Sequence, residues 1–491
     1  MSSTIDRRGF LGRSLAASAA VAATAPSFVE ALNAAAGAAT EGSLRTASHG
    51  RGGYGPLAPK RPTTVGPGID PDVEWVALPE GFKYSIFGVS GTVMSDGNVT
   101  PYGHDGMGAF RGHRGRVHLV RNHEVRDPAG IAAPPSPVRV YDPMSGGGNT
   151  TLVIGFDRRG VPRLESDFVS LSGTHTNCAG GEAPWGSWLT CEETTVGLAN
   201  GFQAEHGYVY DVPSSADGPV RPVPLKGLGR FDHEALCVDP DSGIVYETED
   251  NGDSGFFRFV PDRRGRLTSG QLQMLKVKGV TNYDTRTGQR LGRELDVEWV
   301  DIDDPDPAVG GSKTVYNEGF SKGAAIFRRL EGIWFDDGTV FFTSTDGGNA
   351  GQGQVWRYEP GRRHGHGHGR GRHDRDEGEL SLVYESPGSN TLSFPDNLNI
   401  TPRGGIILCE DTGRPPISLP FSEQFLKGLT QRGEIFDFAL NIADGREWAG
   451  ACWSPGGQYL FVNTQGETAA VANPRPSRTY AIWGPWRRGA L

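Results

Sequence analysis

The stretch TNCAGGEAPWGSWLTCEE, residues 176–193, sets Cys178, paired glycines, Cys191 and the adjacent acids Glu192 and Glu193 close together. Further along, acids recur in a fixed place. Glu234 in HEALCV, Glu331 in LEGIWF, Asp396 in PDNLNI and Glu447 in EWAGAC each open a short apolar run. A glycine-bearing turn and a second apolar run follow, ending in an acidic or polar residue, as with Glu410 and Asp411 in IILCED. Carboxylates gathered at one point repel each other and resist leaving water, so such a set is tolerable only around cations. Hard oxygen donors suit calcium or magnesium, and a thiolate or imidazole would extend the site to iron or zinc. Arg329, two residues before Glu331, would bring a planar fork of donors suited to a phosphate or carboxylate group. His123 and His175 are the histidines nearest these motifs; metal ligation and core hydrogen bonding are both open to them.

The pattern around these residues is all-β. Short apolar runs alternate with turn signals such as VDPDSG, WFDDG and WSPGGQ, and helical periodicity is confined to SEQFLKGL near residue 425. Units starting at Glu234, Glu331, Asp396 and Glu447 repeat one order of acid, strand, turn and strand at spacings of roughly 45 to 100 residues, as propeller blades with insertions would. Residues 104–210 have room for two more units. The expected fold is therefore a six-bladed β-propeller with few short helices, closed by the C-terminal TYAIWGPW. In that fold the innermost strands line a common channel, which would deliver the recurrent acids to one place. Five cysteines is an odd number, so at least one thiol is free, buried or a ligand. Gly180 and Gly181 beside Cys178 allow close backbone approach. Cys191 follows the apolar WGSWL and reads as core, as do Trp185 and Trp188.

Bulk composition narrows the class. The 491 residues carry a net charge of -10, which argues against a nucleic-acid binder. Residues 1–40, with Arg7 and Arg8 ahead of an alanine-rich stretch, read as a twin-arginine signal peptide, implying the export machinery as a partner and a periplasmic, wall-associated or secreted location. Residues 41–68 read as a Gly/Pro-rich linker and 69–491 as one propeller domain, with 362–378 a flexible His/Arg/Gly-rich insertion. Beyond the signal, no stretch approaches the ~18 uninterrupted apolar residues of a membrane span.

Five ordered motifs, TNCAGGEAPWGSWLTCEE, FDHEALCVDPDSGIVYETED, FRRLEGIWFDDG, FPDNLNITPRGGIILCEDTG and EWAGACWSPGGQYLFVNTQGETAA, resemble the PhoX family of bacterial alkaline phosphatases over about residues 70 to 487. The resemblance implies a six-bladed propeller holding two iron and two to three calcium ions, which hydrolyses small phosphate monoesters, with diesters a further option, and works as a monomer. It implies that Cys178 is an iron ligand, that Glu193 and with it Glu192 bind metal, that Glu234 and Glu331 bridge ions, and that Arg329 grips the phosphate. Asp396, Glu410, Asp411 and Glu447 join the set on the strength of the repeat. Where the family carries a Tyr/Phe-Gly-x-Asn-Asn-Asp type of stretch, this chain reads TPYGHDGMGAF, which leaves two options: Asp105 as a replacement ligand, or an altered calcium site. Two other functions fit a calcium-bearing propeller: a lactonase or esterase, and a non-catalytic binding scaffold.

Overall fold

The computed structural model describes residues 53–128, 139–308, 314–361, 377–412, 423–467 and 475–491. The signal peptide and nearly all of the 362–378 insertion lie outside the described residues. Six antiparallel blades follow one another along the chain. Their inner strands are His104–Arg111, Asn177–Ala183, His233–Val238, Leu330–Asp336, Pro395–Ile400 and Trp448–Trp453. Each packs against the next, and the sixth packs back on the first, so the ring closes as a six-bladed propeller. Hairpin chemistry sets the register within blades: in blade 4, Asp337 (φ 42°) and Gly338 (φ 83°) form the two-residue turn between Leu330–Asp336 and Thr339–Ser344.

Two features depart from simple repetition. Strand Glu294–Asp301 pairs with the outer strands of blades 3 and 4 and fuses them into one nine-stranded sheet. Blade 6 takes its outermost strand, Lys83–Phe87, from the N-terminal side, which ties the two ends of the propeller together. The core lies between blades. Phe256 of blade 3 stacks on Phe342 of blade 4 at 4.4 Å, and blades 5 and 6 share Ile407, Leu426, Trp448, Val462 and Tyr480.

Two expectations need correction. Residues 53–68, expected as linker, are packed: Ala58–Lys60 pairs with Val76–Leu78 at the edge of blade 5, and the Tyr54 ring meets Phe82 and Trp486 while its hydroxyl donates to the Leu491 carbonyl at 2.9 Å. Proline is compatible with such an edge strand because no ladder bond needs its nitrogen. The SEQFLKGL segment holds a strand, Gln424–Leu429, between two partners. A run this short is ambiguous by periodicity, and sheet pairing decides it. The α-helix among the described residues is Thr314–Ser321.

Every inner strand also carries a register shift near its start: after His104, Asn177, His233, Leu330, Pro395 and Ala449. A bulge of this kind bends the strand and re-aims a side chain. The six bulges crowd their backbones together at the channel. A Cβ on Gly332 would lie 2.5 Å from the Leu398 nitrogen and 2.6 Å from the Asp396 carbonyl oxygen. Gly332→Ala is accordingly expected to cost about 1–3 kcal/mol in denaturant unfolding. Gly218→Ala, where a Cβ meets open space, should stay within about 0.5 kcal/mol of wild type.

Candidate metal centre

The bulges present their first residue to the channel. In blades 1 to 5 these are Asp105, Cys178, Glu234, Glu331 and Asp396, all buried. The residues that follow are small or folded back: Gly106, Ala179, Ala235, Gly332 and Asn397. Asn397 donates to Asp396 Oδ1 at 2.6 Å and accepts the Gly450 N–H at 2.5 Å. In blade 6 the bulge falls one residue later, on Gly450 and Ala451, and provides no ligand; Glu447 stands just ahead of the strand instead.

A second tier of acids comes from the residue immediately beyond each second strand: Glu124, Glu193, Asp250 and Asp411, with Thr345 and Gln465 at that position in blades 4 and 6. In all six blades this residue's N–H donates to the carbonyl of the residue immediately ahead of the inner strand. The acceptors are Gly103, Thr176, Asp232, Arg329, Phe394 and Glu447, at 2.7 to 3.3 Å. Three of these, Thr176, Arg329 and Phe394, are non-glycine residues held at positive φ (49°, 41° and 50°). Such backbone costs of order 1–2 kcal/mol per residue and persists only where its surroundings over-determine it.

The tiers meet around Cys178. Single ligand atoms of Asp105, Glu124 and Cys178 lie within 4.8 Å of one another, as do those of Cys178, Glu193 and Glu234. The Cys178 thiol donates to Glu234 Oε1 at 3.2 Å. Asp105 Oδ1 is buried without a protein partner, while Gln465 Nε2 donates to Asp105 Oδ2 at 3.0 Å and also to Glu124. Asp411 lies near Asp396 and Glu447, raising the pKa of both.

Two arginines stand among these acids. Arg329 donates from Nε and Nη2 to the two oxygens of Asp250, both at 3.0 Å, and its Nη2 lies 2.5 Å from Glu331. Burial disfavours its charge, but Glu331 and Asp250 outweigh that and hold the guanidinium firmly protonated. Arg126 pairs with Glu124 at 2.6 Å and Glu193 at 2.8 Å.

Burial first, then mutual repulsion, pushes the carboxyls of Asp105, Glu193, Glu234, Glu331 and Glu447 well above the usual range. Asp396 is pushed up to about 7 by burial and then by Asp411, and burial followed by Asp105 raises the Cys178 thiol. Crowded buried carboxylates, an orphaned carboxylate oxygen and one thiol fit bound cations: oxygens for a hard ion such as calcium, and the thiolate for a softer one such as iron.

Two sequence-expected ligands do not join the channel. Side chains alternate along a strand, so Glu192 and Glu410, each the last residue of its second strand, face away from Glu193 and Asp411. Glu192 accepts from the His175 N–H at 2.8 Å, His206 Nδ1 at 2.7 Å and the Gly207 N–H at 2.8 Å. Glu410 accepts from the Ser393 N–H at 2.8 Å and pairs with Lys427. His175 and Ser393 each lie three residues before a candidate ligand, Cys178 and Asp396, so these two glutamates brace the approach to the ring. His123 and His175 are likewise occupied, with Thr150 and Ser145. Cys191 is core; Trp188 is buried and Trp185 is 40% exposed. Sequence reasoning names Glu124 only as a neighbour of His123 in VRNHE and does not single out Asp250, Arg126 or Gln465; their signal is position, at or just past the end of a second strand.

A closed propeller that gathers acids and a thiol from neighbouring blades around one channel, with arginines among them, is suited to holding cations. This chain belongs to the alkaline phosphatase PhoX family, whose model matches residues 53–467, and so to the phosphoric ester hydrolases. Among solved structures it is similar to Pseudomonas fluorescens PhoX in complex with vanadate, a transition state analogue, at 17% identity and a TM-score of 0.59, covering 85% of this chain and 97% of that one. A Xanthomonas campestris gluconolactonase aligns at 11% identity with a TM-score of 0.38, covering 88% and 98%. No curated protein matches the sequence significantly.

Two measurements probe the centre. A carboxyl whose pKa is higher in the folded than in the unfolded state stabilises fully below its unfolded pKa and loses that contribution as pH rises through the folded value. With Asp396 and Glu410 both pushed up to about 7, chelated protein should lose stability between about pH 4 and pH 7, and added calcium should flatten the slope. A denaturant midpoint that climbs over this interval would contradict the charge crowding. Separately, Glu193→Gln should abolish the calcium-dependent rise in Tm. Glu192→Gln should keep that rise on a baseline lowered by about 1–3 kcal/mol, since it weakens bonds to buried amides.

Proposed function

We propose that this chain is an exported phosphatase that releases inorganic phosphate from phosphate monoesters at a centre of iron and calcium ions, acting outside the cytoplasm after twin-arginine transport. The observation that carries the reading is the placing of Arg329 against the ligand tiers, bonded to Asp250 and Glu331 at once. Cations bound there would neutralise phosphoryl oxygens and lower the pKa of an attacking water. The chain's own residues do the rest. Arg329, fixed by its two acids and its left-handed backbone, presents remaining N–H groups to the non-bridging oxygens. Gly106 and Gly332 let neighbouring inner strands approach closely beside these residues, with Ala179 and Asn397 packed against them. Asn397 and Gln465 orient Asp396, Asp105 and Glu124 by hydrogen bonds, so the carboxylates need little rearrangement on binding.

The twin-arginine pair Arg7 and Arg8 supports export. Among the described residues, no helix is long and apolar enough to cross a membrane. A lactonase using calcium alone would have no need of a thiol between two carboxylate groups, and the place of Cys178 in both triads speaks against it.

The test is phosphate release from a panel of monoesters by metal-replete protein, with elemental analysis of the same sample. Arg329→Lys, which keeps the charge and loses the fork, should lower kcat/KM by about 10²–10³-fold with bound metal unchanged. Metal-replete protein that releases no phosphate from any ester would overturn the reading.

A further inference from the structure

Arg329 is committed: its Nε and Nη2 are both taken up by Asp250, and Nη2 also faces Glu331. Arg126 is held differently. Both of its bonds, to Glu124 Oε1 and Glu193 Oε2, leave from Nη2. Its Nε and Nη1 make no protein bond among the described residues, and its side chain is 58% exposed against 33% for Arg329. The two acids it joins are one from each of the two ligand triads that share Cys178. Arg126 thus bridges blades 1 and 2 as Arg329 bridges blades 3 and 4, and the two guanidiniums enter the mouth from sectors two blades apart.

We propose that Arg126 is a second substrate-gripping residue, which donates from Nε and Nη1 to non-bridging oxygens of a phosphate group and so selects dianionic monoesters over monoanionic diesters. The inference rests on the phosphatase reading and adds a specificity determinant to it. A monoester dianion offers three non-bridging oxygens and two charges, enough for the Arg126 fork and for the remaining Nη1 of Arg329 approaching from different sectors. A diester offers two oxygens and one charge, and its second ester oxygen would meet one arginine with a poor acceptor and an added substituent. Bidentate guanidinium bonds to such oxygens are charge-assisted and directional, so losing the Arg126 fork penalises the ligand that uses both arginines.

The experiment compares metal-replete wild type, Arg126→Gln and Arg126→Lys. Calorimetry measures binding of inorganic phosphate and of dimethyl phosphate, kinetics on a monoester runs in parallel, and metal content is measured on every sample. Arg126→Gln is expected to weaken phosphate binding at least about tenfold, narrow its preference over dimethyl phosphate, and lower monoester kcat/KM by about 30- to 100-fold at unchanged metal content. Arg126→Lys should regain only part of the phosphate affinity, because a point charge replaces a fork. Unchanged phosphate affinity, equal loss for both anions, or loss of bound metal alongside would overturn the proposal; the last would make Arg126 a brace for Glu124 and Glu193. Wild-type protein that binds phosphate yet hydrolyses no ester would sink the phosphatase reading, while the binding comparison would still decide the role of Arg126.

Discussion

One hydrogen bond, made six times, holds the site in shape. The residue leaving each second strand gives its N–H to the carbonyl of the residue entering the neighbouring inner strand. That bond fixes the separation between the two tiers of side chains, because the first-tier ligand follows the acceptor by two residues and the second-tier group belongs to the donor itself. It also holds Thr176, Arg329 and Phe394 in left-handed backbone that they would not choose alone. Neighbouring bulges then lock: Thr248 Oγ1 of blade 3 donates to the Glu331 carbonyl, and Thr343 Oγ1 of blade 4 to the Asp396 carbonyl. Ligand geometry is therefore a property of the closed ring, and no blade can present its acid correctly alone.

What this geometry stabilises is an arrangement that electrostatics opposes. Buried carboxylates raise one another's pKa around the ring, and two arginines offset part of that repulsion. Folding energy from the apolar cores between blades holds the charges near each other, and cations relieve what remains. The six-bladed closure, with strand Lys83–Phe87 completing blade 6, is what keeps the ring from opening under its own charge.

Part of this was legible in the sequence because it repeats there. An acid at the second place of an inner strand precedes an apolar run, so Glu234, Glu331 and Asp396 announce themselves. Asp105 was harder to read, since GHDGMGAF looks less like a strand, yet its bulge matches the others. The second tier was visible only where two acids stood together, and there sequence could not say which of Glu192 and Glu193, or of Glu410 and Asp411, faces the channel. Strand parity decides that, and parity depends on where the strand ends. Asp250, beside Glu249, is hidden for the same reason. Glu447 was read as a strand-opening acid like Glu234, but the later bulge of blade 6 leaves it one place ahead of its strand. Residues 53–68 misled through composition, since glycine and proline serve an edge strand as well as a linker.

The ring separates positions that geometry restricts from positions where it leaves the side chain more room. In blades 1 to 5 the first bulge residue is a candidate ligand, and its successor is small or folded back, because the neighbouring backbone leaves little room for a larger one. The residue just ahead of the strand gives its carbonyl to the lattice, and closure constrains its side chain at Gly103, where a Cβ would lie 2.4 Å from the Glu124 carbonyl oxygen. The six occupants of this position, Gly103, Thr176, Asp232, Arg329, Phe394 and Glu447, differ in size and charge. Asp232, Arg329 and Glu447 among them lie within electrostatic reach of the ring acids. A propeller can thus keep one lattice and vary this position in the blades where a side chain fits, and Arg329 occupies it in blade 4.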